Sequence, residues 1–296
     1  MKTQILLSRR YFNEVCRERD NHSCVSCGTN EEPLSVHHII ERRLFDDHGY
    51  YADNGATLCD PCHIQAEATT LSCKDIRDMV GITHVVIPSD YYPDVNYTKW
   101  GDVILPNNTR MKGPLFYDDS VQKILKWGNM LRSYTEYVKY PRTLHLPWSE
   151  GKTRDDRVLT DCSHFIGKRV VVTEKMDGEN TTIYPDYIHA RSIDGRNHWS
   201  RSRVKNLQSQ IGYNLDAGWR ICGENLQAVH SIKYEELTSY FQVFSIWNEK
   251  NVCLSWSDTI EYASILGLNT VKVLYEGEWD IELILGLYDK MDRSKN

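Results

Sequence analysis

The chain has 296 residues, of which 41% are hydrophobic and 26% charged, with a formal net charge of −6. That length accommodates two domains with separate cores, and no stretch approaches the roughly 20 apolar residues of a membrane span. The mild acidity neither points to a nucleic-acid partner nor excludes one, because local basic patches matter more than the total. The N-terminal run "MKTQILLSRRYF" has no long apolar segment and no small-residue cleavage site, so no signal peptide is expected. Four of the nine cysteines form two C-x-x-C pairs, Cys24 with Cys27 and Cys59 with Cys62. The other five are scattered. That usage fits a reducing, cytoplasmic setting with one metal site, not a disulfide framework.

In chain order, residues 9–20 carry Tyr11, Phe12, Val15 and Cys16 at helical spacing. The first cysteine pair follows, then the strand-like "LSVHHII" (34–40). "DPCHIQAEA" (60–68) opens a helix, with Asp60 as N-cap and Pro61 at the first helical position. Together these make a compact module over residues 1–80. Residues 81–138 are a connector: loops rich in Pro, Asn, Asp and Gly, then a helical stretch, "DDSVQKILKWGNMLRSYTEYV". From 139 to 296 the texture becomes short strands and turns. One helix interrupts them, "SDTIEYASILG", read with Asp258 and Glu261 in a capping-box relation and Gly267 at the stop. Glu276-Gly277 reads as a strand-exit turn. The predicted class is α+β: a small metal-knuckle module, a connector, and a domain dominated by antiparallel sheet.

The two cysteine pairs can aim four thiolates at one structural Zn²⁺. Between and after them lie "VHHI", Asn54 and His63, which directly follows Cys62. The whole pattern, "CVSC…VHHII…N…LCDPCH" over residues 20–68, resembles the HNH endonuclease family. The resemblance implies a ββα-metal fold in which His38 is the general base, Asn54 orients it, and His37 and His63 hold a divalent metal against the scissile phosphate. A neutral imidazole suits the base role near pH 7. Arg42 and Arg43 lie close by, available to phosphate or to solvent.

"EKMDGEN" (174–180) follows the strand-like "RVVVT". A lysine at a strand end followed by Asp-Gly resembles motif I, K-x-D-G, of the covalent nucleotidyltransferase superfamily. It implies that Lys175 attacks the α-phosphate of ATP and becomes joined to AMP. The amine attacks only when neutral, which needs desolvation or neighbouring cations. Asp177 and Gly178 form the tight turn that lets backbone approach the nucleotide. Further motif-like segments follow in the family's order: Arg191 in "HARS", Glu224 in "ICGENL" for the ribose hydroxyls, and Phe244 in "YFQVFSIW" to stack on the purine. Asn180, five residues past the lysine, resembles the asparagine with which RNA ligases engage the nucleic-acid end. The wider match over about 138–290 is to ATP-dependent RNA ligases. Arg196, Arg201 and Arg203, with Trp199 interleaved, suit a polynucleotide path.

No K-x-K pair near the end fits the superfamily's last motif, and no Glu-Gly-apolar segment fits the one before it. The resemblance therefore implies an adenylyltransferase domain incomplete at its C-terminus, and poor or no adenylylation of Lys175 by this chain alone. The expected function is nucleic-acid end processing: ATP-dependent sealing of RNA ends or nicks, with Mg²⁺ or Mn²⁺ shielding the triphosphate, joined to a metal-dependent nuclease for RNA or DNA. The alternative is a nucleic-acid-binding protein with a structural zinc site and an inactive ligase-like domain.

Overall fold

A computed structural model describes residues 5–31, 33–149, 154, 156–193 and 198–290. The chain divides into two compact units, residues 1–136 and 137–296.

The first unit opens with α1 (Arg9–Arg19), whose N-terminus is capped by Ser8 accepting from the Tyr11 N–H. Phe12 and Cys16, four residues apart, turn inward, whereas Tyr11 is exposed. β1 (Leu34–His38) and β2 (Gly55–Cys59) pair antiparallel, with Leu34 opposite Cys59 and His38 opposite Gly55. Gly55 lets α1 close on this ribbon: a Cβ there would lie 2.5 Å from Cys16 Sγ and 2.6 Å from Phe12 Cζ. α2 (Asp60–Glu67) starts directly from β2. Cys59, still extended at φ −76° and ψ 162°, is therefore the N-cap in place of the expected Asp60, which becomes a first-turn acid. α3 (Cys73–Val80) begins with a Ser72–Asp75 capping box and ends on Gly81 in the left-handed region.

Residues 81–136 belong to this same unit. β3 (Val103–Ile104), β4 (Arg110–Met111) and β5 (Tyr134–Thr135) form a small sheet in that order. α4 (Asp119–Trp127) is shorter than the periodicity suggested, because Asn129 takes a left-handed φ of 58° just beyond it. Trp100, Phe116, Val121 and Leu125 make a core of their own. The indole of Trp100 donates to the Glu67 carbonyl at 2.8 Å, so this region is packed onto α2.

The second unit contains β6 (Arg169–Thr173), β7 (Glu179–Ile183), β8 (Ile188–Ala190), α5 (Ser202–Ile211), β9 (Arg220–Asn225), β10 (Phe241–Trp247), α6 (Trp256–Ile265), β11 (Asn269–Thr270), β12 (Val273–Glu278) and α7 (Ile281–Lys290). The main sheet has the order β11-β10-β9-β7-β8, antiparallel except for β10 with β11. Ile183, Ile221, Val243 and Ile246 leave one face of it to form a core with Val204 and Ile211 of α5. Because side chains alternate along a strand, Asn180 and Glu224 stand on the other face. α6 is capped by Ser255, which accepts from Asp258 N–H, and not by Asp258 itself; Gly267, at φ 67°, lies just past its end as expected. Glu276-Gly277 is not a turn: both lie inside β12, paired with Val171 and Val170 of β6. The Tyr275 hydroxyl covers Gly277, where a Cβ would meet it at 2.4 Å.

The Sγ atoms of Cys24, Cys27, Cys59 and Cys62 all lie within 4.8 Å of one another. Structural zinc sites supply much of the folding free energy of small modules. Cys59→Ser is therefore expected to lower zinc content by one equivalent per chain and to remove the first unit's melting transition while the second unit's persists. Metal analysis and circular-dichroism melts check this.

Candidate functional site

In the first unit the pleat of β1 sends His37 and His38 in opposite directions. The fully buried His37 meets His63 with ring centroids 4.8 Å apart, and its Nδ1 lies 3.4 Å from Glu67 Oε1. His63 Nε2 is 3.3 Å from the same oxygen, and its Nδ1 is 2.7 Å from Ser35 Oγ on β1. His37, His63 and Glu67 thus present three donor atoms within 4.8 Å of one another. Burial, then the Lys99 ammonium, takes His37 down to about 3, so the ring is a neutral donor at pH 7. Burial pushes the Glu67 carboxyl up, but the two histidines and Lys99 outweigh it and hold the group well below the usual carboxylate range. Two imidazoles and one carboxylate suit a divalent ion. Among the described residues the buried His37 Nε2 has no hydrogen-bond partner, while its Nδ1 faces Glu67.

His38 stacks on Phe12 at 4.6 Å and meets Tyr50 edge-on at 5.1 Å. Burial, reinforced by Lys99, lowers it to about 4, and among the described residues its Nε2 has no hydrogen-bond partner. The Asn54 side chain hydrogen-bonds backbone, not the His38 ring, among the described residues. It accepts from Ile40 N–H at 2.9 Å and donates to the Ile40 and Gly49 carbonyls, while its own carbonyl accepts from Ile39 N–H. Asn54 therefore fixes the backbone that leaves β1 just after His38. Arg43 is engaged by Glu41 and Asp118. Glu67 was missed in the sequence, although it lies one helical turn after His63.

In the four-cysteine cluster, burial pushes the Cys24 thiol up, but N–H groups of Cys59, Cys27 and Ser26 prevail and bring it down to about 7. A thiol so lowered is readied for metal binding.

In the second unit a cavity of about 390 Å³ is lined by Lys175, Asn180, Arg191, Glu224 and Phe244, together with Tyr140, Thr173 and Val271 among others. Five residues spread over 70 positions of sequence thus converge. Lys175 leaves the end of β6; Asn180 and Glu224 are direct partners across β7 and β9. Phe244 sits where the β9–β10 register shifts between Val243 and Ser245. It is the unpaired residue of that bulge, on the face opposite the core residue Val243. Among the described residues the buried Asn180 Oδ1 has no hydrogen-bond partner. Burial raises the Glu224 carboxyl, against the Gly178 N–H and the Lys175 ammonium. Tyr140, edge-on to Phe244 at 5.0 Å, is a second aromatic wall that no local sequence signal reveals.

Residues 168–295 match the family model "RNA ligase", and residues 24–69 match "HNH endonuclease". The chain carries one domain of each family. No curated protein matches it. Among solved structures, an apo mutant of a Naegleria gruberi RNA ligase is 19% identical, with 42% of this chain and 41% of that one covered and a TM-score of 0.33. An archaeal ATP-dependent RNA ligase is 23% identical over 38% of this chain and 33% of its own, with a TM-score of 0.31. The chain therefore spans less than half the length of either.

Four other predicted residues that the structure describes, Asp177, Gly178, Arg201 and Arg203, do not line this cavity. Asp177 accepts from the N–H and hydroxyl of Ser231 and from Ile232 N–H, and its own N–H donates to the Tyr234 hydroxyl. Gly178 donates its N–H to Glu224 Oε1 at 3.0 Å, and a Cβ there would meet the Asn225 carbonyl at 2.5 Å. Arg201 is held by both Glu179 oxygens at 2.6 and 2.7 Å. Arg203 lies 3.8 Å over the Tyr240 ring. Arg196 falls outside the described residues.

The Ser231 hydroxyl and backbone N–H groups depress the Asp177 carboxyl. Its stabilisation should be fully present above the unfolded value of about 3.9 and disappear as pH falls through the lower folded value. Asp177→Asn is expected to melt below wild type at pH 7, with the gap closing as pH falls below the free-carboxyl value; paired melts across pH test this.

Proposed function

We propose that the chain is an RNA end-processing enzyme that seals RNA through an adenylylated Lys175 and cuts nucleic acid with its HNH domain. The observation that carries the sealing half is the convergence of Lys175, Asn180, Arg191, Glu224 and Phe244 on one cavity. Its size falls within the range of small-ligand sites, roughly 300–1,000 Å³. Phe244 and Tyr140 offer aromatic surface to the base, and Glu224 offers acceptors to the ribose hydroxyls. The Lys175 amine forms a P–N bond to the α-phosphorus of ATP, pyrophosphate leaves with the P–O electron pair, and the amine gives up a proton. AMP then passes to an RNA 5′-phosphate, and a 3′-hydroxyl displaces it as the P–O bond of the joined strand forms. Asn180, with its unpartnered carbonyl oxygen, faces the incoming RNA end. Arg191 contributes positive charge to the same wall. Mg²⁺ or Mn²⁺ supplies charge shielding on the triphosphate.

In the nuclease half, His37, His63 and Glu67 would hold a divalent ion, which supplies charge neutralisation at the phosphate. His38, kept neutral by its surroundings, accepts the proton of the attacking water. Asn54 fixes the chain on the far side of that histidine. The four-cysteine cluster is compatible with zinc and serves the fold.

Two measurements test the halves separately. Label transferred from α-labelled ATP to the full-length protein should vanish in Lys175→Ala; label that persists there ends the sealing proposal. His38→Ala should cut metal-dependent cleavage of RNA or DNA by ~10²-fold or more with zinc content unchanged. Wild-type protein that cleaves no nucleic acid would leave the N-terminal half as a binding module.

A further inference from the structure

Lys99 lies outside the HNH-matched residues 24–69, yet its side chain ends among the histidines and carboxylates of that domain. It is 3% exposed. Its Nζ donates to the His38 carbonyl at 2.9 Å and lies 3.3 Å from Glu67 Oε1 and 3.2 Å from Glu41 Oε2. The ammonium also sits 5.1 Å from the centroid of the Trp100 ring. Glu67 Oε1 is thus shared by three groups: His37, His63 and Lys99.

The loop that delivers Lys99 is fixed from behind. The fully buried Asp102 accepts from the Thr98 and Tyr134 hydroxyls and from Gly113 N–H. Gly101, at φ 85°, packs so closely that a Cβ would meet the Tyr91 hydroxyl at 2.3 Å. In front, the Lys99 carbonyl accepts from Glu41 N–H, and the Trp100 indole donates to the Glu67 carbonyl. Backbone and side chain of one short loop therefore grip both the exit of β1 and the end of α2. A buried ion pair contributes little to stability that an apolar side chain would not. What an apolar side chain lacks is fixed positive charge beside a site that must accept a phosphodiester.

We propose that Lys99 is a positioning residue of the HNH domain: its buried ammonium holds the His38 backbone and the Glu67 carboxylate in place and adds fixed positive charge beside the metal ligands. This rests on the nuclease reading above. It makes residues 96–105 part of that domain's working structure. It also has two opposed consequences. The ammonium competes with a divalent cation for the same carboxylate oxygen, so it weakens metal binding. It raises the positive potential met by the scissile phosphate and keeps the His38 segment in register, so it speeds cleavage. A residue that merely braced the fold would support both properties together.

The test uses the full-length, zinc-loaded protein with Mn²⁺, which as a hard ion leaves the thiolate site alone. Calorimetry follows the Mn²⁺ site that is lost in His37→Ala. Lys99→Met keeps the hydrophobic stem and removes the charge. It should bind Mn²⁺ roughly tenfold more tightly while kcat for nucleic-acid cleavage falls by about 10–100-fold. Weaker or unchanged Mn²⁺ binding, or an unchanged kcat, overturns the proposal. Should Lys99→Met fail to fold, Lys99→Gln, which retains a donor for the His38 carbonyl, decides on Mn²⁺ affinity: tighter binding supports the proposal and any other result overturns it. Wild-type protein that binds Mn²⁺ at His37 but cuts nothing would defeat the nuclease reading alone, and the affinity comparison would still decide whether Lys99 opposes the metal.

Discussion

Both sites depend on the pleat of short antiparallel strands. A strand offers alternate residues to opposite faces, so a five-residue segment can give one face to the core and the other to chemistry. In β1, His37 goes to α2 and its donor groups, whereas His38 goes to α1 and the ring of Phe12. In β7, Ile183 enters the core while Asn180, on the other parity, lines the cavity. A one-residue slip in either strand would exchange the faces. Register is held by features that do not themselves react. Gly55 opposite His38 admits α1, and Gly223 is packed so tightly under Phe241 that a Cβ would meet its ring at 2.4 Å.

Much of this was legible from spacing. The cysteine pairs, the histidine doublet and the ordered motifs around Lys175 are local patterns: the four cysteines gather, His37 meets His63, and Lys175, Asn180, Arg191, Glu224 and Phe244 share a cavity, whereas His38 turns to the other face. What the sequence hid was long-range in origin. Lys99 and Tyr140 reach their sites from segments with no motif, by packing that no periodicity encodes. The bulge at Phe244 is a property of pairing between two strands, not of either alone. Glu276-Gly277 looked like a turn because glycine weakens a strand on its own; opposite Val170 and beneath the Tyr275 hydroxyl it fits one. Glu67 differs from these cases, since its four-residue offset from His63 places both on one helix face.

Charge tells a similar story. The basic stretch after Arg191 suggested a polynucleotide path, but local partners have already claimed part of it. Arg201 is clamped bidentately by Glu179, and such a fork is a strong, geometrically specific pairing. That pair joins the start of β7 to the helical segment before α5. Arg191, by contrast, lies on the cavity itself. A count of arginines cannot distinguish these roles; only the placement of the acids can.

The Asp-Gly of the lysine motif shows how a short motif can act without touching a ligand. Asp177 collects the Ser231–Ile232 backbone and Gly178 delivers its N–H to Glu224, so two adjacent residues tie the turn after Lys175 to two distant segments. The glycine is needed because the Asn225 carbonyl leaves no room for a side chain. The aspartate is needed because an exposed loop must be drawn in to bring Tyr234 over the turn. Lysine chemistry at a strand end requires that its neighbours not move when charge changes on the amine. A turn pinned from both sides meets that requirement through backbone hydrogen bonds, with Glu224 and Asn180 beside it on the cavity wall.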